Sequence, residues 1–163
     1  MEYTMPIGDP IRVTLEQDTD FAFRIRFDET ALEPWLSDET APLGQERGPN
    51  PTRILLAGIA NCLAASLLFA MRKYKNDPAG VVAHITATPM RNPEGFWRIP
   101  QASVELQLPG ANQDYAQLER ILAQFEQFCV VTQSVRQGID VQVTVKDAQG
   151  TVLLGDKSIE AGA

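Results

Sequence analysis

The chain has 163 residues, of which 44% are apolar, and this is enough for one globular domain with a substantial core. Its net charge is −7, because 21 Asp and Glu residues outnumber 14 Lys and Arg residues. Nucleic acids and anionic membrane surfaces bind basic patches, so this acidic balance argues against both as partners. We therefore expect a single soluble domain over residues 1–163.

The first predicted elements are two strands joined by a polar turn. Apolar and polar residues alternate over residues 11–17 and again over residues 21–27, which is typical of strands with one buried face. Residues 28–50 are rich in proline, glycine and acidic residues, and they predict a long loop. Long loops in compact domains are usually functional or cover another part of the molecule.

A long helix is predicted over residues 51–76. Asn50 suits the N-cap position and Pro51 the first helical turn, while Lys73 and Lys75 lie near the end. Residues 54–71 are apolar on all sides and nearly long enough to span a bilayer. The same pattern is typical of a helix buried at the centre of a globular protein, and we favour that interpretation.

The remaining pattern predicts further pairs of strands separated by helices. The predicted elements are strands over 81–90 and 102–108 with a loop over 91–100, helices over 114–129 and 132–137, and a hairpin formed by 139–145 and 151–159. Hairpins interrupted by helices indicate an α+β fold with the helices on one side of a sheet.

The residues that could carry chemistry are two cysteines, Cys62 and Cys129. Two cysteines and one histidine, His84, cannot supply the four soft ligands of a structural zinc site, so no metal is expected. The N-terminal residues lack the features of a secretory signal, which suggests the reducing cytoplasm, where lasting disulfides are rare. The pair is therefore either two inert buried thiols or a redox couple, in which one thiol becomes a sulfenic acid and the other condenses with it.

Two segments carry a resemblance to a known family. The stretch 48–51, Gly-Pro-Asn-Pro, is followed by 54–63, which ends in Ala-Asn-Cys-Leu. Together they resemble the first signature of the OsmC/Ohr family, in which such a turn opens the central helix before the reactive cysteine. The segment 129–135, Cys-Val-Val-Thr-Gln-Ser-Val, resembles the second signature. The order of the elements also fits this family over nearly the whole chain.

The resemblance implies both a fold and an activity. The fold would be an intertwined α+β homodimer with antiparallel sheets wrapped around long central helices and active sites at the dimer interface. The activity would be thiol-dependent reduction of organic hydroperoxides, an antioxidant function in the stress response. Cys62 would be the peroxidatic cysteine and Cys129 the resolving one, a dithiol would be the reductant, and no cofactor would be needed.

The chain departs from the family pattern around the expected cation. The best-known peroxidase branches place a glutamate after the Asn-Pro turn, where it holds a catalytic arginine from the N-terminal hairpin turn. This chain has Thr52 at that place, and the hairpin turn has no arginine. The candidates for stabilising the thiolate and the peroxide are therefore four arginines and one acid, Arg24, Arg26, Arg47, Arg53 and Glu46. Val130 replaces the proline of the second signature.

Apolar residues near the two cysteines are the candidates for a substrate-binding surface that favours apolar peroxides. They are Leu55, Ile59, Leu63, Phe125 and Phe128. Two alternatives stay open. The chain could be a non-catalytic OsmC-like domain that binds an apolar small molecule or a partner, or a redox sensor in which the disulfide changes the shape of the protein.

Overall fold

The computed structural model describes residues 8–138, 145–146 and 152–154. Helices and strands alternate along the chain, which confirms the α+β class. The chain divides into two compact units, the first formed by Met1–Ala60 with His84–Glu105 and the second by Asn61–Ala83 with Leu106–Ala163. The expectation of one domain over residues 1–163 stays a prediction.

The first unit contains a three-stranded antiparallel sheet in the order β1-β2-β3. The strands are β1 (Val13–Thr19), β2 (Ala22–Phe27) and β3 (Trp35–Ser37). The predicted hairpin is confirmed, and its turn passes through Asp20, which has a φ of 48°. The prediction of a continuous loop over 28–50 is wrong at β3. Trp35 forms an edge-to-face contact with Phe27, with 5.1 Å between the ring centroids, and this contact favours pairing of the two strands.

The long helix α1 runs from Pro51 to Lys73. Its start follows the predicted capping, since the Asn50 side-chain oxygen accepts a hydrogen bond from the backbone N–H of Arg53 at 3.0 Å. The helix ends three residues earlier than predicted, and Lys75 takes a left-handed conformation with a φ of 62°. At 23 residues the helix is about 35 Å long.

Strands β4 (Val82–Ala87) and β7 (Ala102–Gln107) pair with each other, as the sequence predicted for this region. The intervening segment 91–100 was predicted as a loop, and this is wrong. β5 (Met90–Arg91) and β6 (Trp97–Arg98) form a small antiparallel hairpin. Its turn is closed by the Asn92 side chain, which accepts the backbone N–H of Phe96 at 2.8 Å, and it passes through Gly95 at a φ of 86°.

The predicted continuous helix over 114–129 is wrong, because the segment is broken into three short pieces. They are a 3₁₀ turn at Asn112–Asp114, helix α2 at Leu118–Leu122 and a second 3₁₀ turn at Phe125–Phe128. Gln117 precedes α2 in a left-handed conformation, which an uninterrupted α-helix does not permit. The buried Asn76 side chain also binds both the N–H and the carbonyl of Ala116, at 2.8 and 2.9 Å.

Helix α3 (Val130–Gln137) begins two residues earlier than predicted and ends at Gln137 with Gly138 as its C-cap, as expected. Strands β8 (Val145–Lys146) and β9 (Val152–Leu154) pair antiparallel, which agrees with the predicted C-terminal hairpin. The other parts of that prediction, 139–144, 151 and 155–159, lie outside the described residues.

The second unit has a hydrophobic core between α1 and α2. Leu67, Ala70 and Met71 of α1 are buried against Ile121 of α2. Leu118 and Phe125 pack on this cluster, so the predicted apolar spacing of this segment does face a core although the helix is interrupted. The core fixes the chain that leads from α2 to α3.

Gly48 provides a test of how the loop before α1 is held. A Cβ atom at this position would collide with the carbonyl group of Leu36 in β3, so the close approach requires glycine. We expect Gly48→Ala to lower the free energy of unfolding by about 1–3 kcal/mol. Gly58→Ala is the matched control, because among the described residues nothing lies within 4 Å of a Cβ there. That change should raise the free energy of unfolding by about 0.5–1 kcal/mol through helix propensity. Urea unfolding measures both, and equal effects would contradict this account.

Candidate active site

Cys62 and Cys129 lie together in the second unit. Cys62 is on α1, about three turns after the start of the helix, and its side chain is partly exposed. Cys129 directly precedes α3 and is fully buried. Both are free thiols, and each shifts the pKa of the other. The structure thus brings the two predicted cysteines into one site.

The start of α3 supplies backbone donors to both sulfurs. Cys129 is the N-cap residue, and its Sγ accepts a hydrogen bond from the backbone N–H of Thr132 at 3.4 Å. The side-chain Oγ1 of Thr132 lies 3.0 Å from the same sulfur. The backbone N–H of Val131 donates to the sulfur of Cys62. The first N–H groups of a helix have no partner within the helix and favour negative charge, so this position suits a thiolate.

Ser66 is a further polar group at the thiol pair. It is buried and lies four residues after Cys62 on α1, which places both side chains on one face of the helix. Its hydroxyl is hydrogen-bonded to both sulfurs. Ser66, Val131 and Thr132 were not among the predicted site residues. Two sequence signals could have found Ser66 and Thr132. They are the four-residue spacing of Cys62 and Ser66 and the Cys-x-x-Thr spacing of a helix cap.

The thiol of Cys62 is held in its neutral form. Burial raises the pKa of Cys62, and the hydrogen bond to Cys129 raises it further. The backbone N–H of Val131 and the hydroxyl of Ser66 lower the pKa of Cys62, but they offset only part of this rise.

The thiol of Cys129 is shifted in the opposite direction. Burial alone would raise the pKa of Cys129, yet its interactions with Cys62, with the side chain and the N–H of Thr132, and with Ser66 outweigh this effect. The net result is a pKa of Cys129 below its usual value. The two thiols therefore differ in both exposure and acidity.

The predicted arginines lie in the first unit, where three of them form ion pairs with carboxylates. Arg24 and Arg47 both bind Asp18, at 3.2 and 3.0 Å, and Arg26 binds Glu16 at 3.2 Å. The assignment of any of these arginines to the Cys62 thiolate stays a prediction.

Arg47 also takes part in holding the loop before α1. Asp38 is buried, and its carboxylate accepts the backbone N–H groups of Gln45 and Arg47 at 3.0 and 3.2 Å. Burial alone would raise the pKa of Asp38, but these N–H groups, that of Glu39 and the charge of Arg47 lower it overall. Between these residues, Glu46 takes a left-handed φ of 57°. The Arg47–Asp38 network thus fixes the loop that leads into α1.

The structure places the predicted substrate-lining residues in different surroundings. Leu55, together with strands β1 to β3, lines an apolar groove of about 420 Å³ in the first unit. Ile59 and Leu63 are buried side chains of α1. Phe125 packs on the core of the second unit, whereas Phe128 is 43% exposed and contacts Phe69, with 5.5 Å between the ring centroids. Their role in binding a substrate stays a prediction.

Comparison with known proteins identifies the family. The family model described as OsmC-like protein matches residues 44–144, a segment that includes α1, both cysteines and α3. The chain belongs to the OsmC-like protein family. No curated protein sequence matches the chain.

Solved structures of this family share the fold at low sequence identity. The chain is similar to an OsmC-like protein from Mycoplasma pneumoniae, with a TM-score of 0.63 and 14% identity over 82% of this chain and 91% of that one. It is also similar to the organic hydroperoxide resistance protein OhrB of Bacillus subtilis, with a TM-score of 0.58 and 17% identity over 82% and 95% of the two chains. An organic hydroperoxide resistance protein from Elizabethkingia anophelis gives a TM-score of 0.60 and 18% identity over 83% and 94%.

In this OsmC-like protein, Val130 stands where the family pattern has a proline. Val130 is the first residue of α3 and is 75% exposed. Proline is well tolerated at this position, because its missing N–H would have no partner within the helix. The donors to the sulfurs come from Val131 and Thr132, so replacing the family proline by valine leaves them in place.

The Thr132 hydroxyl provides a test of the hydrogen bonds at Cys129. In a Cys62→Ser background, where Cys129 is the remaining cysteine, Thr132→Val removes the hydroxyl 3.0 Å from Sγ and keeps the backbone N–H. We expect the pKa of Cys129 to rise, because the Thr132 side chain is one of the groups that lower it. Thiolate absorbance at 240 nm against pH measures this shift, and Thr132→Ser is the control that keeps the hydroxyl. An unchanged titration in Thr132→Val would contradict the assignment.

Proposed function

We propose that this OsmC-like protein is a thiol-dependent peroxidase that reduces organic hydroperoxides, with Cys62 as the peroxidatic cysteine and Cys129 as the resolving cysteine. The observation that carries the proposal is that one partly exposed and one buried free thiol lie at the start of α3 and act on each other's pKa. A hydroperoxide from solvent can reach Cys62, whereas Cys129 is covered. The partial exposure of Cys62 supports its role in the first step of this proposal.

The chemistry needs no group beyond the two thiols, the peroxide and a reductant. The Cys62 sulfur attacks one oxygen of the O–O bond, an alcohol leaves, and Cys62 becomes a sulfenic acid. Cys129 then attacks the Cys62 sulfur, a disulfide forms and water leaves. An external dithiol reduces the disulfide by exchange and returns both thiols. No cofactor or metal is required for this cycle.

The names of two structural neighbours support the substrate class. The proteins from Bacillus subtilis and Elizabethkingia anophelis are both named for resistance to organic hydroperoxides. Their sequence identity to this chain is below 20%, so the similarity shows a shared fold, and their names suggest the substrate class.

A second candidate function is a non-catalytic domain that binds an apolar small molecule. Two observations favour it. The groove of about 420 Å³ is lined almost wholly by apolar side chains, including Val13, Phe27 and Leu55. Three of the four candidate arginines are also already paired with carboxylates. In this case neither cysteine would be needed for function, and the experiment below separates the two proposals.

The test of the peroxidase proposal is consumption of an organic hydroperoxide, such as cumene hydroperoxide, in the presence of a dithiol. We expect turnover by the wild-type protein and a fall to the protein-free rate in Cys62→Ser. Cys129→Ser should lose turnover but still form one sulfenic acid, because the resolving thiol is absent. Ser134→Ala, a hydroxyl removed from the same helix α3, is the control that should retain turnover. A wild-type rate equal to that of Cys62→Ser would favour the binding domain.

We further propose that the active form is a homodimer in the cytoplasm. Of the described residues, α1 alone forms a helix long and apolar enough to cross a membrane, and less than half of its most apolar stretch is buried. Large apolar side chains are also exposed on the first sheet, such as Leu15 at 55% and Trp35 at 54%. Apolar surface of this extent is typical of a protein interface. A second copy of the chain would cover it.

A charge on the exposed sheet tests the dimer. We expect Leu15→Glu to shift the protein from dimer to monomer, because a carboxylate in an apolar interface is costly to desolvate. Gln101→Glu adds the same charge at an exposed polar residue and should leave the dimer intact. Light scattering after size-exclusion chromatography reports the mass of each species. A monomeric wild-type protein, or an unaffected Leu15→Glu dimer, would refute the proposed interface.

A further inference from the structure

One row of side chains on α1 leads away from the thiol pair within the second unit. Its members follow each other at intervals of four, three and four residues, which places them on one face of the helix. They are Cys62, Ser66, Phe69 and Lys73. From the rise of an α-helix, Phe69 lies about 10 Å and Lys73 about 16 Å further along the axis than Cys62. The row begins at the partly exposed thiol and ends at two exposed side chains.

Phe128 adds a second aromatic ring to this row. It directly precedes Cys129 and is 43% exposed. Its ring meets the ring of Phe69 edge to face, with 5.5 Å between the centroids, and the Nζ atom of Lys73 lies 5.9 Å from the centroid of the Phe128 ring. The two rings therefore form an exposed apolar surface that starts near the thiol pair and ends at an ammonium group.

The ammonium group of Lys73 has no carboxylate partner among the described residues. Its neighbour Arg72, in contrast, is paired with Asp77 at 3.3 Å. The contact with an aromatic ring holds a cation in place but does not neutralise its charge. An exposed cation at the end of an apolar surface is complementary to a molecule with an apolar chain and an anionic end.

We propose that Lys73 is a specificity-determining residue that binds the anionic end of the substrate, while Phe69 and Phe128 bind the chain between this end and the hydroperoxide group at Cys62. The inference rests on the proposed peroxidase function and adds the charge and the length of the preferred substrate. In a zigzag chain with bonds of about 1.5 Å, a span of about 16 Å corresponds to about a dozen carbons. The preferred substrate is a long-chain carboxylate with its hydroperoxide group about a dozen carbons from the carboxylate.

This arrangement makes the protein sensitive to a charge far from the reacting atoms. A neutral hydroperoxide of the same length would keep the contacts with the two rings and lose the ion pair. Because Lys73 does not touch the peroxide group, the ion pair is the same in the substrate complex and in the transition state. The loss should therefore raise KM and leave kcat nearly unchanged.

The experiment compares two hydroperoxides that differ only in charge, the 13-hydroperoxide of linoleic acid and its methyl ester, in the presence of a dithiol. We expect the wild-type protein to favour the acid in kcat/KM by about fivefold, the effect of one exposed ion pair. Lys73→Gln should bring the ratio of acid to ester to about one, and Lys73→Arg should restore the preference. Both substrates are measured on one sample, so a change in folding or active fraction cancels in the ratio.

Lys75→Gln is the matched control. Lys75 carries the same charge and is also exposed, but it follows the end of α1 in a left-handed conformation and is not part of the row. The preference for the acid should survive this change. Lys73 also lies in the last turn of α1, where a cation stabilises the helix, and a purely structural role of this kind would not alter the ratio of acid to ester.

A wild-type ratio of one would overturn the proposal, as would a preference that survives Lys73→Gln or disappears equally in Lys75→Gln. Turnover of cumene hydroperoxide, which is too short to reach Lys73 from Cys62, separates this failure from failure of the proposed function. If cumene hydroperoxide is consumed while the ratio is one, the role of Lys73 is wrong and the peroxidase activity stands. If no hydroperoxide is consumed, the peroxidase activity is wrong, and calorimetry with unoxidised linoleate tests the anion site alone. Binding that Lys73→Gln weakens about fivefold would support the site, and equal binding by both proteins would refute it.

Discussion

The contact between the sulfurs of Cys62 and Cys129 depends on where the first turn of α3 places its free N–H groups. Cys129 caps this helix, and the N–H groups of Val131 and Thr132 each bind one sulfur. α1 brings Cys62 and Ser66 to the same point from one helix face. A capping interaction that many helices use only for stability here also creates an environment that tolerates a thiolate.

The rest of the second unit keeps this contact in place. The core of Leu67, Met71 and Ile121 packs α1 against α2, and Asn76 binds both backbone groups of Ala116. Because Cys129 follows α2 by only a short 3₁₀ turn, these interactions also fix the position of its sulfur. The asymmetry of the pair follows from this geometry, since α1 leaves Cys62 partly exposed while Cys129, the residue before α3, is buried.

The sequence could predict the features that depend on periodicity and capping. The hairpin of β1 and β2, the start of α1 at Asn50 and the family were all evident from residue patterns. The broken helix over 114–129 was not, because the apolar spacing of Leu118 and Ile121 is the same in a continuous helix and in short pieces that face one core. The interruption comes from long-range bonds to Asn76 and a left-handed Gln117. Ser66 was missed because its role requires a second sulfur 63 residues away from it in the chain.

The measurement that tests the central claim most directly is peptide mass analysis of the reduced protein after one equivalent of an organic hydroperoxide. The account predicts rapid, near-stoichiometric formation of a disulfide between Cys62 and Cys129, because the two thiols are already in contact. Thiols that stay reduced over minutes would contradict it. In that case the pair would be a structural feature of an OsmC-like domain whose function lies in its apolar groove.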